Sequence, residues 1–454
     1  MDLKPLFEPQ TMAVCGVSAS NYRHPANEIF TKNLLRYPIR VYGVNPRGGT
    51  LNDQPIYRSI AEVPARIDLA VIAVRADFVP EVMTACIEAR VRSAVVISGG
   101  FTEVGRQDLQ ERIVAIAREA AFPFIGPNCL GVYVPSLVDT FFLPGERMVK
   151  PAIGNVSFVS QSGGILVDQI IKFTNEGVGL AKAISIGNKA MINEVDILEY
   201  LATDQATKVI AFYIEGFGRS EGRAFVLKAE KCGKPVVVLK SGKSAAGRRA
   251  VSSHTASLAG DYDAFSAALS QYGIVEAAND LELVSFCESL SKYAKPIEGR
   301  VGIVTVSGGH GAMAVDSCAA RGIVVPTLPE KIRQDLRQSL SPSVQNIAAL
   351  TNPIDLTGSG IDEDFVATAR LLCSREDIDC ILALLLPYVP GITSDLGAKL
   401  SSVARHWGKP LIAYVPNVGK YAMLIEGFEL NGVPVSPSIE GAVLMVEALR
   451  RNRP

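Results

Sequence analysis

Thr11-Met12-Ala13-Val14-Cys15-Gly16-Val17-Ser18 is an apolar run that breaks into glycine and serine just before a helical stretch, residues 27–36. Similar short runs follow at Arg40 to Asn45, Asp68 to Val74, Ser93 to Ser98 and Phe122 to Ile125, again with helical stretches between them. Short buried strands alternating with helices predict parallel sheets covered on both faces. The pattern recurs along the whole chain. Over 454 residues it predicts an α/β protein of three doubly wound parallel-sheet domains. A Rossmann-like domain takes residues 1–145, and two further parallel-sheet domains take 150–297 and 298–454.

In the first domain the turn Val14-Cys15-Gly16-Val17-Ser18 precedes a helix, so its backbone amides face a helix amino terminus, where phosphate is favoured. The full GxGxxG is absent. Val44-Asn45-Pro46-Arg47-Gly48-Gly49, Ser98-Gly99-Gly100-Phe101 and Gly126-Pro127-Asn128-Cys129-Leu130-Gly131 add three loops at the same sheet edge, where open α/β sheets bind ligands. No acidic residue follows Val41 to Asn45 to grip a ribose diol. Arg47 instead suits a ligand with an additional phosphate, such as coenzyme A or NADP. Cys129 reads equally as a ligand contact or as a buried filler.

After a proline-bearing linker, Pro144 to Ile153, the strand Asn155 to Ser160 leads into Ser160-Gln161-Ser162-Gly163-Gly164 and a helix, Ile165 to Phe173. Amides and hydroxyls at a helix start suit a phosphoryl group; the plainer reading is an N-cap serine with packing glycines. Farther on, Ser252-Ser253-His254-Thr255-Ala256-Ser257-Leu258-Ala259-Gly260 sets one of four histidines among small and hydroxylic residues, with Arg248 and Arg249 upstream. This composition predicts a carrier loop. Imidazole can take a phosphoryl group on one nitrogen when an acceptor holds the proton on the other. Glu215, at the end of the apolar run Val209 to Ile214, is the candidate acceptor.

The third domain reads as a degenerate copy of the second and so serves as a control. Val301 to Val306 with Ser307-Gly308-Gly309 answers the strand and loop ending at Gly164. Ile381 to Leu386 answers Ile210 to Glu215, and Lys409 to Val415 answers Lys234 to Lys240. In the copy Leu386 stands for Glu215, and no histidine lies between Val415 and Gly432. Carboxylate and histidine disappear together, as a working pair would. Of the other histidines, His24 lies in the first loop, His406 late in a helix, and His310 at the copied helix start.

Net charge is −1 with scattered cations, so neither nucleic acid nor an anionic membrane is an expected partner. The start lacks a signal-peptide core and no apolar run reaches the roughly 18 residues of a membrane span, which points to the cytoplasm. Eight single cysteines without a CxxC pair argue against a zinc site or a disulfide framework, and no metal ligands are expected.

The marks Gly126 to Gly131 (GPNCLG), Ser160 to Gly164 (SQSGG), Ser185 to Ala190 (SIGNKA), Tyr213 to Gly216 (YIEG), Ser252 to Gly260 (SSHTASLAG) and Thr351 to Gly358 (TNPIDLTG) occur in this order. In these the chain resembles the NDP-forming acyl-CoA synthetase superfamily, most closely the alpha subunit of ADP-forming acetate–CoA ligases. The succinyl-CoA synthetase alpha subunit is a more distant relative that would match only the first two domains, and the resemblance implies that 150–297 and 298–454 are flavodoxin-like. The resemblance implies phosphorylation of His254, stabilised by Glu215, with the phosphoryl group bound at Ser160, Gln161, Ser162, Gly163 and Gly164. It implies coenzyme A at Gly16, Ser18, Asn45, Pro46, Arg47, Ser98, Gly99, Asn128 and Cys129.

Because three domains fill the chain, ATP or ADP with Mg2+ is expected on a separate ATP-grasp beta subunit, in a heterotetramer, with no cofactor permanently bound. The remaining substrates are a small carboxylic acid and phosphate. The family's first loop often carries a glycine where Asn27 stands here, and its usual proline after the third-domain glycine pair is His310. A catalytically silent coenzyme A-binding regulatory or scaffold protein is the alternative. An NADP-dependent dehydrogenase would account for the first domain only.

Overall fold

The computed structural model describes residues 1–254 and 261–452, leaving aside the side chains of 252–254. Residues Met1–Ala278 form one compact unit and Asn279–Pro454 another. No described helix is long and apolar enough to cross a membrane.

The first unit contains two seven-stranded sheets. From edge to edge, the first runs Gly49–Leu51, Gln54–Tyr57, Arg40–Val44, Thr11–Cys15, Leu69–Ile72, Ser93–Val96, Phe124–Ile125. All neighbours are parallel except the short hairpin of Gly49–Leu51 on Gln54–Tyr57, which the sequence reading passed over. Thr11–Cys15, Leu69–Ile72 and Ser93–Val96 are buried at every position, as parallel strands under helices on both faces must be. Winding reverses at Thr11–Cys15, which pairs with Arg40–Val44 on one side and Leu69–Ile72 on the other. Gly16 follows directly at φ +115°, and a Cβ there would lie 2.3 Å from the Ala73 carbonyl oxygen.

The second sheet runs Val275–Ala277, Val236–Lys240, Val209–Ile214, Ile153–Ser160, Leu180–Ser185, Gly131–Val134, Val138–Asp139. Its last two strands come from the segment assigned in sequence to the first domain. Gly131–Val134 pairs antiparallel with Leu180–Ser185. Strand exchange therefore joins the two sheets into one unit.

A buried charge cluster fastens that exchange. Asp139 is fully buried, 3.0 Å from Lys32 Nζ on the helix Pro25–Arg36, and also pairs with Lys150 of the linker. Asn33 donates to the Asp139 carbonyl at 2.6 Å and accepts from its N–H at 3.0 Å. Charges this deep are tolerated only when paired and hydrogen-bonded.

In the second unit the sheet runs Val435–Ser436, Leu411–Tyr414, Cys380–Leu384, Val301–Thr305, Ile354–Asp355, Ala349–Leu350. This is the second sheet's order as far as Gly131–Val134, down to an antiparallel strand at the same edge. Asn352, at φ +70°, locks the copy together: its carboxamide accepts from Ile303 N at 2.9 Å and donates to Val301 O and Pro326 O. The helix Asp280–Lys292, which the sequence reading placed at the end of 150–297, packs in this unit against Ile439–Arg451, where Ser289 Oγ donates to Met445 O at 2.9 Å.

A second difference concerns residues 245–254. The carrier-loop reading covers Ser252 to Gly260, yet the helix Ala245–His254 takes in its first three residues. Ala245, Ala246, Arg248 and Arg249 are good helix formers, and they outweigh the single Gly247.

Two predictions follow from the packing in the first unit. Asp139→Ala strands the buried Lys32 ammonium and removes the carboxylate from the half-buried Lys150, and should cost about 3–5 kcal/mol in a denaturant titration. Gly187 has φ +55°, and a Cβ there would lie 2.3 Å from the Pro127 carbonyl oxygen. Gly187→Ala should therefore lower stability by about 2–3 kcal/mol, read as a depressed thermal midpoint.

Candidate functional site

The site lies at the carboxyl edge of the second sheet. Ile153–Ser160 pairs with Leu180–Ser185 on one side and Val209–Ile214 on the other, so the loops leaving Ser160 and Ile214 diverge over a crevice. Ser162 caps the helix Gly163–Asn175, its Oγ accepting from Ile165 N at 3.4 Å. Ser160 Oγ accepts from Ser162 N at 3.1 Å and donates to Ser162 O at 2.7 Å, which closes the loop on itself. The first N–H groups of any helix have no intrahelical acceptor, and here they belong to glycines. A Cβ at Gly164 would meet nothing within 4 Å, so this glycine leaves open room for a guest.

Gln161 does something its place in the motif did not announce. Its Oε1 accepts from Glu215 N at 2.6 Å and from Gly216 N at 3.1 Å. Its Nε2 donates to Gly216 O at 2.7 Å and to Glu194. Both amide protons and both lone pairs are thus used within the protein.

Glu194 and Lys189 support the Gly216 turn beside the candidate site, a role the sequence reading missed. Glu194 is fully buried at the start of the helix Glu194–Thr203, and burial raises its carboxyl against the pull of Lys189 and Gln161. Lys189 Nζ contacts Glu194 Oε2 at 3.1 Å, Gly216 O at 2.9 Å and Glu221 Oε2 at 3.1 Å. The available signal was Lys189 inside SIGNKA, with a carboxylate five residues on.

Glu215 is buried, 7% exposed, and lines a cavity of about 680 Å³. Gln161, Ser162, Gly163 and Gly164 line the same cavity, together with Gly99, Asn128 and Cys129 from the first-sheet loops. The cavity therefore joins the expected phosphate loop, the expected carboxylate and half of the expected coenzyme loops. Ser98 sits beside it, buried, donating to Val74 O at 2.5 Å.

Contact between two loops closes the cavity's far wall. Asn128, at φ +58°, donates to Asn188 Oδ1 at 3.3 Å, and Asn188 donates in turn to Glu103 Oε2 at 2.6 Å. Cys129 is held back: its Sγ donates to Val96 O at 3.3 Å, and burial pushes the thiol well above its ordinary range. Such a thiol packs and does not attack.

Gly16, Ser18, Asn45, Pro46 and Arg47 do not line this cavity; they occupy the first sheet's own crevice. Asn45 Oδ1 accepts from Arg47 N at 3.0 Å, a turn that leaves Pro46 and Arg47 exposed. Asn27, where the family often has glycine, is buried: it accepts from Ser18 N at 2.8 Å and donates to Ser18 O at 2.8 Å and Asn21 O at 3.2 Å. Its side chain therefore shapes the first loop from beneath. His24 caps the helix behind that loop, Nδ1 accepting from Ala26 N at 3.2 Å, and burial lowers its pKa.

His254 ends the helix Ala245–His254; its side chain and residues 255–260 lie outside the described residues. His310 bonds to Ser307 Oγ at 2.9 Å, across its own helix start. No group of three or more metal-ligating side chains occurs among the described residues.

Residues 10–135 match a family described as the CoA binding domain, and residues 153–290 match the succinyl-CoA ligase like flavodoxin domain. The chain is 35% identical to subunit alpha of the ADP-forming acetate–CoA ligase II of Pyrococcus furiosus, over 98% of this chain and 96% of the relative. It is 38% identical to the ADP-forming acetate–CoA ligase I of Archaeoglobus fulgidus over 85% of its own length, but spans only 55% of that longer chain. The dinucleotide-forming acetyl-coenzyme A synthetase 1 of Ca. Korarchaeum cryptofilum, solved with phosphate and ADP, superposes with a TM-score of 0.88 at 30% identity, covering 99% of this chain and 97% of that one. The chain belongs to the family of ADP-forming acid–CoA ligases.

Proposed function

We propose that this chain is the coenzyme A-binding, phosphohistidine-carrying subunit of an ADP-forming acyl-CoA synthetase. The observation that carries the reading is the single cavity lined by first-sheet loops, the helix start at Gly163 and Glu215. In the direction of ATP synthesis, phosphate held at Ser162, Gly163 and Gly164 attacks the carbonyl carbon of an acyl-CoA thioester. The C–S bond breaks, coenzyme A leaves as the thiol, and an acyl phosphate forms. A nitrogen of His254 then takes the phosphoryl group, releasing the carboxylate, and passes it to a nucleoside diphosphate; each step runs in reverse for acyl-CoA synthesis.

In this scheme Glu215 accepts the proton of the other imidazole nitrogen, which keeps the attacking nitrogen's lone pair available. The helix start supplies N–H donors where phosphoryl charge accumulates. Coenzyme A takes the first sheet's crevice, with Gly16 and Ser18 at its turn and Arg47 exposed for a phosphate, and its thiol end enters the shared cavity past Gly99 and Asn128. Cys129 serves as packing behind it.

An ATP-grasp beta subunit supplies the nucleotide site and its Mg2+, and the assembly is a heterotetramer. Relatives that carry extra chain length beyond the part matched here are consistent with that second component fused in place.

The test is incubation of the full chain and its ATP-grasp partner with radiolabelled ATP. One acid-labile label is expected on His254, absent from His254→Ala and reduced roughly 100-fold in Glu215→Gln. Label that persists in His254→Ala would reject the assignment. Calorimetric binding of coenzyme A with no labelling would instead establish the silent binding protein.

A further inference from the structure

Three buried polar residues of the second sheet have no polar counterpart in the copy. Strand register identifies the corresponding places. Ser160 lies opposite Tyr213, and Thr305 lies opposite Leu384. Tyr213 lies opposite Leu239, and Leu384 opposite Tyr414. Counting on from these pairs, Gln161 matches Val306, Glu215 matches Leu386, and Lys240 matches Val415. All six are buried. The fold therefore accommodates apolar side chains at all three places, and a polar group there needs another reason.

The helix-start carboxylate behaves differently. Glu194 has a positional counterpart in Asp362, the first residue of the helix Asp362–Ser374, which is also buried; Asp362 accepts directly from Thr393 N at 3.0 Å and Lys399 Nζ at 2.8 Å, whereas Glu194 reaches the Gly216 turn through Gln161 and Lys189. A buried carboxylate at this helix start is thus common to both sheets.

What Gln161 and Lys240 have in common is the backbone of one residue. Gln161 Oε1 accepts from the Glu215 N–H at 2.6 Å, and Lys240 Nζ donates to the Glu215 carbonyl at 2.7 Å, with a second bond to the Ser241 carbonyl. Both backbone groups of the carboxylate residue are thus held by side chains. In the copy the matching carbonyl, Leu386 O, accepts from Val389 N at 3.0 Å, so that turn closes on its own backbone.

We propose that Lys240 and Gln161 are positioning residues that set the direction of the Glu215 side chain by pinning its backbone from both sides, in place of the self-closed turn of the copy. The pinning rests on the phosphohistidine reading for its use. Around Lys240 the charged groups are Glu215, Glu276, Lys243 and Arg248; burial pulls the ammonium down to about 8 against the attraction of the Glu215 carboxylate.

A double-mutant cycle on the full chain with its ATP-grasp partner tests this, reading the initial rate of His254 phosphorylation from ATP. Lys240→Met and Gln161→Met should each slow labelling by roughly tenfold to 100-fold. In a Glu215→Gln background, Lys240→Met should cost no further factor beyond about twofold, because its effect passes through Glu215. The thermal midpoint of Lys240→Met should stay within a few degrees of the parent, since the copy packs an apolar residue at the same place. Wild-type labelling rates in both variants, or losses that multiply with that of Glu215→Gln, would overturn the pinning alone. An unlabelled parent chain would instead take down the phosphohistidine reading and the pinning with it.

Discussion

The central strand Ile153–Ser160 leaves its partners in opposite directions, and the rest of the site depends on that reversal. Where winding changes side, no helix crosses the carboxyl ends of the strands, so the loops after Ser160 and Ile214 part and leave a crevice. Everything placed there is a consequence of strand order. The glycines at 163 and 164 start a helix facing the opening, and Glu215 follows the neighbouring strand into it.

A crevice of this kind needs its walls fixed, and buried polar bonds do that work. Gln161, Glu194 and Lys189 form one connected network beneath the Gly216 turn, with each member bonded to the next. Such networks hold a single arrangement when complete and are costly when one partner is missing. The carboxylate at the start of the second helix is common to both sheets, Glu194 in one and Asp362 in the other. The groups that grip the Glu215 backbone belong to one sheet only. The contrast separates what both sheets share from what only the sheet with the cavity has.

The first sheet contributes through contact as well as through ligand loops. Gly131–Val134 and Val138–Asp139 cross into the second sheet, and the charge cluster of Lys32, Asp139 and Lys150 ties them to the first sheet's helix. GPNCLG therefore lies where the two sheets meet. Asn128 and Gly187 seat its turn against SIGNKA, and the cavity forms between that turn and the helix start at Gly163.

Much of this was written in local sequence. Alternation of apolar runs with helical stretches determined the sheet class, because parallel strands buried on both faces must be continuously apolar. Glycine and serine after each run marked the loops of the crevice, and the internal copy singled out Glu215 against Leu386. The sequence alone did not reveal the exchange of Gly131–Asp139 into the second sheet, since short strands at a sheet edge have no distinctive period. Nor did it reveal that Asn27 and Gln161 turn inward, or that Lys240 reaches the Glu215 carbonyl. Those facts depend on which backbone groups lie opposite one another after the strands have paired, a property of register and three-dimensional proximity that no run of neighbouring residues encodes.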